Sequence, residues 1–181
     1  MASNCSFLVP LALLFLLSVV PVKGDDALIE KICGTIYYRD LCISMLKSNI
    51  SSMKADVKGL ATIMVEFGVT NSSATYSYLK AQLHDEDTKA AFKKNLQYCS
   101  TRYSHATRYL RVALHKLSNE EYHRAQTKVA VAGDVPADCE DEFTKSPGLG
   151  YPSELSRRGN DLEQICYIAR RIIDHLIPDD S

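Results

Sequence analysis

One uninterrupted amphipathic segment, residues 92–117, constrains the fold of this 181-residue chain more than any other feature. Its apolar side chains recur at alternating spacings of four and three, which places them on one stripe of a helix of about seven turns. The stripe consists of Phe92, Leu96, Cys99, Tyr103, Ala106, Leu110, Ala113 and Leu117. Neither Pro nor Gly interrupts the segment, so nothing local breaks the helix. The opposite face is basic, with Lys93, Lys94, Arg102, Arg108, Arg111 and His115. Such a helix needs neighbouring elements that cover its stripe.

The residues before this segment predict a second long helix, for which Ser51 and Ser52 are candidate caps. Its apolar face is marked by Val57, Leu60, Met64 and Phe67. The polar run at 70–75 leaves open whether this helix is continuous or divided into two. A turn is expected at 84–87, directly before the central segment.

Two further helices are predicted after the central segment. Ser118 and Glu121 have the spacing of a capping box for the third helix, and Pro136 inside its apolar pattern predicts a break there. A linker rich in Pro and Gly at 147–152 precedes the last helix, for which Ser153 is the predicted cap.

Short connections between long helices place successive helices antiparallel, so the sequence predicts an all-α, up-down-up-down four-helix bundle over residues 51–177. Residues 25–49 predict a small hairpin of two short helices ahead of the bundle. The composition, with 46% hydrophobic and 24% charged residues and a formal charge of −1, is that of an ordinary globular domain. This charge gives no indication of nucleic-acid binding.

The first 24 residues predict a secretory signal peptide, because a short apolar run at 7–20 is followed by a small residue, Gly24, at the predicted cleavage site. The run is too short to span a bilayer comfortably. We therefore expect a secreted chain of residues 25–181, with no membrane association after cleavage. Asn49 and Asn71 each begin an Asn-X-Ser sequence and are the predicted glycosylation sites.

Five cysteines remain after removal of the signal peptide, enough for two disulfides in an oxidising compartment. They are Cys33, Cys42, Cys99, Cys139 and Cys166. Cys33 and Cys42 are close enough to close the hairpin, and Cys99 with Cys139 would then tie the central helix to a later one. Spacing alone does not prove this pairing.

The arrangement of cysteines, together with Cys-Glu-Asp at 139–141 followed by Phe143, resembles the plant invertase and pectin methylesterase inhibitor family over residues 28–176. The resemblance implies a four-helix bundle with an N-terminal helical hairpin. It also implies the bridges Cys33–Cys42 and Cys99–Cys139, with Cys166 unpaired. Members of that family are not enzymes and use no cofactor. They bind a secreted carbohydrate-active enzyme and cover its substrate cleft.

The residues give opposing indications of the target enzyme. Invertase inhibitors of this family tend to carry Pro-Lys-Phe just after the central helix, where this chain has Glu-Glu-Tyr at 120–122. Pectin methylesterase inhibitors often carry acidic residues on the helix after the third cysteine, where this chain is basic. We predict a cell-wall pectin methylesterase as the partner of a monomeric inhibitor, with acid invertase as the alternative.

Charged surface residues and one tyrosine are the candidate contacts with that partner. A solvated surface without a partner would show the same sequence pattern. The candidates are Arg102, His105, Arg108, Tyr109, Glu121, Asp134, Asp138 and Asp141. No catalytic group can be assembled, because Cys166 lies on an apolar stripe and neighbouring carboxylates on a helix point in different directions. The five histidines lack the spacing of metal ligands. A rival of another class is a helical carrier of a small apolar ligand, which needs a core cavity of roughly several hundred Å³.

Overall fold

The computed structural model describes residues 24–84 and 89–178, and every regular element in these ranges is helical. The elements are α1 (Gly24–Cys33), α2 (Arg39–Ser48), a short 3₁₀ helix (Ile50–Lys54), α3 (Val57–Leu83), α4 (Ala90–Ser118), α5 (Tyr122–Gly133), α6 (Val135–Thr144) and α7 (Ser153–Asp174). The predicted signal peptide, apart from its last residue, and most of the predicted turn at 84–87 lie outside the described residues.

The long helices form the predicted four-helix bundle, in which α5 and α6 together make the third helix. Helix α4 packs along α3 on one side and along α5 and α6 on the other. Helix α7 also packs along α3 and α5, so α4 and α7 lie diagonally opposite each other across the core. Helices α1 and α2 form the hairpin, and the ring of Tyr38 packs edge-on against Tyr167 of α7, with centroids 5.3 Å apart.

The central segment is one helix, as predicted, and its stripe forms much of the core. Seven of its eight stripe residues are buried, from Leu96 to Leu117. Phe92 is half-buried and packs edge-on against Phe143, with ring centroids 5.4 Å apart. Fully burying one such side chain contributes roughly 1.5–3 kcal/mol, so this stripe is a large part of the folding free energy.

Helix α3 is continuous, which answers the question that its polar middle left open. Ser72 and Thr75 are buried, and their hydroxyls donate to backbone carbonyls about one turn back at 3.1 and 2.9 Å. Thr107 of α4 donates to the Ser72 hydroxyl at 2.9 Å, so the polar run joins the two helices. At Gly68 a β-carbon would lie 3.2 Å from Leu110, and the missing side chain therefore allows close packing there.

The predicted cap of α3 is wrong. Ser51 and Ser52 lie inside the 3₁₀ helix, where the Ser51 amide donates to the Asn49 side chain at 2.9 Å. Asp56 caps α3 instead, since its carboxylate accepts from the Gly59 amide at 2.8 Å. An aspartate is as good a cap as a serine, so propensity alone did not decide between them.

The two other predicted caps are also wrong. Ser118 is the last residue of α4, and its hydroxyl donates to the His115 carbonyl at 2.8 Å rather than to the next helix. Glu121 precedes α5 without making a side-chain cap, so there is no capping box. Ser153 is the first residue of α7, and Pro152 occupies the cap position.

The predicted break at Pro136 is confirmed, since α5 ends at Gly133 and α6 begins at Val135. Pro136 lies in the first turn of α6, where a missing amide proton is not needed for the helix. At Gly133 a β-carbon would lie 2.9 Å from the β-carbon of Cys166, so the backbone of α5 packs there directly against the Cys166 side chain of α7.

Two disulfides hold these elements together, and they are the pairs that the family resemblance implied. Cys33–Cys42 closes the hairpin, and Cys99–Cys139 joins α4 to α6 across 40 residues of sequence. In the chain-entropy model, a loop of that length stabilises the fold by about 4 kcal/mol. Cys166 is free and buried.

The turn between α4 and α5 places a glutamate in the left-handed region of backbone space, with a φ of 60° at Glu120. The Glu121 amide donates to the Lys116 carbonyl at 2.9 Å, and the Glu120 amide donates to the Leu117 carbonyl at 3.1 Å. This is the hydrogen-bond pattern of a Schellman motif, which usually carries Gly at the left-handed position. The Glu120 carboxylate accepts from Lys58 at 3.0 Å and so ties the turn to α3.

Replacing Glu120 should therefore reveal the strain of this turn. Glu120→Gly and Glu120→Ala both remove the ion pair with Lys58, but only Gly relieves a left-handed penalty of roughly 1–2 kcal/mol. The greater freedom of unfolded Gly offsets about 0.5–1 kcal/mol of this gain. We expect the Gly variant to exceed the Ala variant by about 1 kcal/mol in free energy of unfolding, measured by urea denaturation. An Ala variant as stable as the Gly variant would contradict the left-handed conformation.

Candidate functional site

A row of three side-chain contacts follows the line where α4 runs antiparallel to α5 and α6. We call this row the seam, and it consists of the pairs Arg102–Asp138, Tyr109–Lys128 and Lys116–Glu121. Its members on α4 are spaced by seven residues, so all three project from the same side of that helix. The seam is the visible edge of the packing between α4 and the third helix of the bundle.

The middle of the seam is an aromatic ring surrounded by cationic or potentially cationic groups. The ring of Tyr109 is half-buried, with the Lys128 ammonium 5.6 Å and the Arg108 guanidinium carbon 5.7 Å from its centroid. The His105 ring packs at a steep angle to it, with centroids 6.4 Å apart. We call His105, Arg108, Tyr109 and Lys128 the Tyr109 cluster.

The cations of the Tyr109 cluster have no counterion in the part of the chain that the structure describes. Neither Arg108 nor Lys128 has a carboxylate oxygen within 4.0 Å among those residues. A cation above an aromatic face gains about 0.5–1 kcal/mol at an exposed site, which favours this placement of the long side chains without neutralising them. The cluster therefore presents positive charge to the outside.

The residues at the two ends of the seam form ion pairs with each other within the protein. Arg102 pairs with Asp138 directly beside the Cys99–Cys139 bridge, and both side chains are about one-third exposed. Glu121 accepts from Lys116 at 2.8 Å, and this hydrogen bond is the main reason that the pKa of the Glu121 carboxyl is lowered. These pairs fix the relative position of the helices and leave the Tyr109 cluster between them.

The structure brings together only part of the predicted contact set. Arg102, His105, Arg108, Tyr109 and Asp138 lie along one stretch of the seam, whereas Glu121 lies at its far end. Asp141 is exposed one turn farther along α6. Asp134 lines a separate hollow of about 210 Å³, together with Tyr38 and Arg170.

Sequence reasoning missed Lys128, which completes the Tyr109 cluster. The available signal was a spacing of seven residues from Glu121 to Lys128, which matches the spacing from Tyr109 to Lys116 on the antiparallel helix. These two pairs of residues face each other only when α4 and α5 pack in one particular register. The sequence of either helix alone does not specify that register.

Cys166 has the environment of an inert thiol. It is buried where α7 meets α5, and burial raises the pKa of the thiol to about 12. The thiol therefore stays protonated at neutral pH and is a poor nucleophile.

The structure gives no support to the carrier alternative. Two hollows, of about 530 and 510 Å³, open at the surface between α3 and α4 and beside the α4–α5 turn. The space between the apolar stripes is instead filled by large side chains, among them Tyr103, Phe143 and Leu110. Within residues 24–84 and 89–178, no helix is both long enough and apolar enough to span a bilayer.

Comparison with known proteins places the chain among inhibitors. A sequence model described as plant invertase/pectin methylesterase inhibitor matches residues 27–172. A relative from Arabidopsis thaliana named cell wall/vacuolar inhibitor of fructosidase 2 is 38% identical over 98% of this chain and 99% of its own length. A pectinesterase inhibitor from Actinidia deliciosa is 30% identical over 87% of this chain and 83% of its own length.

A solved structure supports the fold. A mutant form of a pectin methylesterase inhibitor from Arabidopsis superposes with a TM-score of 0.70 and covers 83% of this chain and 98% of its own. At 19% identity this likeness concerns the fold alone. Together with the sequence relatives, it confirms the resemblance drawn from the cysteine pattern.

Proposed function

The chain belongs to the plant invertase/pectin methylesterase inhibitor family and is an enzyme inhibitor rather than an enzyme, and we propose that it inhibits a fructosidase. In this proposal the Tyr109 cluster enters or covers the active-site cleft of the target. The proposal reverses the preference drawn from sequence alone, which favoured pectin methylesterase and kept acid invertase, a fructosidase, as the alternative.

Sequence identity supports a fructosidase as the target. The relative named for fructosidase inhibition shares 38% of its residues with this chain over nearly the full length of both, against 30% for the pectinesterase inhibitor named above. Such a difference is an associational argument, and the fold does not discriminate between the two targets. The choice therefore depends on the chemistry of the exposed surface.

The exposed positive charge of the Tyr109 cluster is the observation that carries the proposal. Glycoside hydrolases generally hold a pair of carboxyl groups on either side of the bond that they cleave. When the substrate is a neutral sugar, the cleft has no need of cations to bind it, and those carboxyl groups leave it acidic. Arg108 and Lys128, without carboxylate partners in the described residues, are suited to such a cleft. A cleft that itself carries cationic groups would repel these residues.

The Tyr109 cluster also has the composition and rigidity of an interface anchor. Tyr and Arg dominate the few residues that supply most of the binding energy in protein interfaces. The cluster is held between two ion pairs, and the Cys99–Cys139 bridge lies beside one of them. A surface fixed before binding loses less conformational entropy on association, which favours tight inhibition.

Pectin methylesterase is the second candidate. Asp141 and the partly exposed Asp138 form an acidic stretch of α6 that could face a cleft with cationic groups. The relative from Actinidia deliciosa, named a pectinesterase inhibitor, also keeps this candidate open. The sequence-based preference for this target stays a prediction.

A direct assay distinguishes the two targets. The secreted protein is purified and titrated against a plant acid invertase and a plant pectin methylesterase under the same buffer and salt conditions. We expect inhibition of the invertase, with an association rate that falls as ionic strength rises, because charge steers the encounter. Inhibition of pectin methylesterase alone would overturn the proposal.

The Tyr109→Ala variant tests whether the Tyr109 cluster is the contact surface. Loss of an interface anchor costs about 2 kcal/mol or more, so the inhibition constant for the invertase should rise roughly 30-fold. Tyr37→Ala is the matched control, since Tyr37 is 82% exposed at the hairpin, which contacts the diagonally opposite helix α7. Unchanged inhibition by the Tyr109 variant would exclude the cluster. Equal loss in both variants, each with an unchanged melting temperature, would exclude it as well.

We also propose that the protein is secreted to the cell wall as a monomer and carries a glycan at Asn49. Asn49 lies between α2 and the 3₁₀ helix, at a partly exposed junction. Asn71 lies in the middle of α3 beside Leu41 and Ile165, and its amide oxygen is buried without a hydrogen-bond partner among the described residues. A glycan at Asn71 would separate the hairpin from the bundle.

Mass spectrometry of protein secreted from plant cells tests the glycan assignment. We expect Asn49→Gln to remove the glycan mass and Asn71→Gln to leave it unchanged. A glycan recovered on the peptide that contains Asn71, or a protein that stays inside the cell, would contradict this part of the proposal.

A further inference from the structure

An open groove runs between α3 and α4, on the other side of α4 from the seam. Its volume is about 530 Å³, and helix α3 contributes Ser73 and Tyr76 to its walls. Helix α4 contributes Ser104, His105, Thr107, Arg108 and Arg111. Within residues 24–84 and 89–178, no Asp or Glu lines the groove.

The groove carries positive charge that the protein does not neutralise. Arg108 and Arg111 are one helical turn apart, about 4.5 Å along the axis of α4. Among the residues that the structure describes, Arg111 makes no ion pair, and the only recorded partner of Arg108 is the ring of Tyr109. Two guanidinium groups in this arrangement can each bind a carboxylate through paired hydrogen bonds. The ligand of such a groove is an anion.

The remaining lining residues indicate what kind of anion fits. The side-chain hydroxyls of Ser73, Tyr76 and Ser104 make no hydrogen bond to other described residues, whereas Thr107 donates to Ser72. Tyr76 adds an aromatic ring to one wall. Free hydroxyls suit a ligand with many hydroxyls of its own, and an aromatic face suits the apolar face of a sugar ring.

We propose that this groove binds an acidic oligosaccharide, a chain of uronic acid residues. Carboxylates on neighbouring sugars pair with Arg108 and Arg111, one turn apart, while sugar hydroxyls bind Ser73 and Ser104 and one ring packs on Tyr76. A small inorganic anion would use the guanidinium groups but not the hydroxyls or the ring. An acidic peptide would bring few hydroxyls to the groove.

This site goes beyond the proposed inhibition and can be separated from it by mutation. His105 and Arg108 line the groove and also belong to the Tyr109 cluster, so a bound uronate chain should compete with the target enzyme for these side chains. Arg111 lines the groove and is not part of the Tyr109 cluster. A variant at Arg111 therefore tests the groove without changing the cluster.

Calorimetric titration of the full secreted protein at low salt tests the site. The ligands are a hexamer of galacturonic acid, the same hexamer as its neutral methyl ester, and inorganic sulfate. We expect the acidic hexamer to bind and both other ligands to bind at least roughly tenfold more weakly, because the methyl ester lacks the charge-assisted hydrogen bonds and sulfate lacks the contacts with the hydroxyls and the ring. Equal affinity for the methyl ester would overturn the role of charge. Equal affinity for sulfate would reduce the groove to a simple anion site and overturn the proposal.

The Arg111→Gln variant locates the binding in the groove. It should weaken hexamer binding roughly tenfold. Lys94→Gln, on the same helix but outside the groove, is the control and should change the affinity less than about twofold. Equal effects of the two variants would indicate nonspecific attraction and overturn the site. Arg111→Gln should inhibit the invertase as the native protein does.

Discussion

The covalent and apolar contact between α4 and the third helix of the bundle is the constraint on which the rest of this structure depends. The stripe of α4 supplies much of the core, and the Cys99–Cys139 bridge fixes that helix against α6. A bridge that spans 40 residues removes much of the freedom of the unfolded chain. The surface of α4 is therefore held in one position. An inhibitor that binds its target through complementary shape and charge requires such a fixed surface.

The seam lies on the outside of this rigid contact and forms the proposed functional surface. Its outer pairs, Arg102–Asp138 and Lys116–Glu121, neutralise their own charges. Between them, Arg108 and Lys128 stay unneutralised within the described residues and lie against the ring of Tyr109. This contact offsets part of the entropy that the two side chains would lose when a partner binds them.

The features that could be predicted from sequence are those that local patterns determine. The stripe of α4 follows from periodicity, and the break between α5 and α6 follows from Pro136. The cap of α3 was predicted wrongly because several nearby residues could serve equally well, and Asp56 rather than a serine occupies the cap position. The starts of α5 and α7 have no side-chain cap, so the predicted caps there have no counterpart. Lys128 was missed because its contact with Tyr109 depends on the register between two helices.

The target enzyme could not be derived from the fold, because related inhibitors with different named targets share that fold. Only the distribution of surface charge separates the alternatives.

Hydrogen–deuterium exchange of the inhibitor, alone and bound to an acid invertase, tests the central claim most directly. The account predicts slowed exchange in 102–111 of α4 and 124–130 of α5, with unchanged exchange in 153–174 of α7. Slowed exchange confined to α7 or to the hairpin at 24–48 would contradict it.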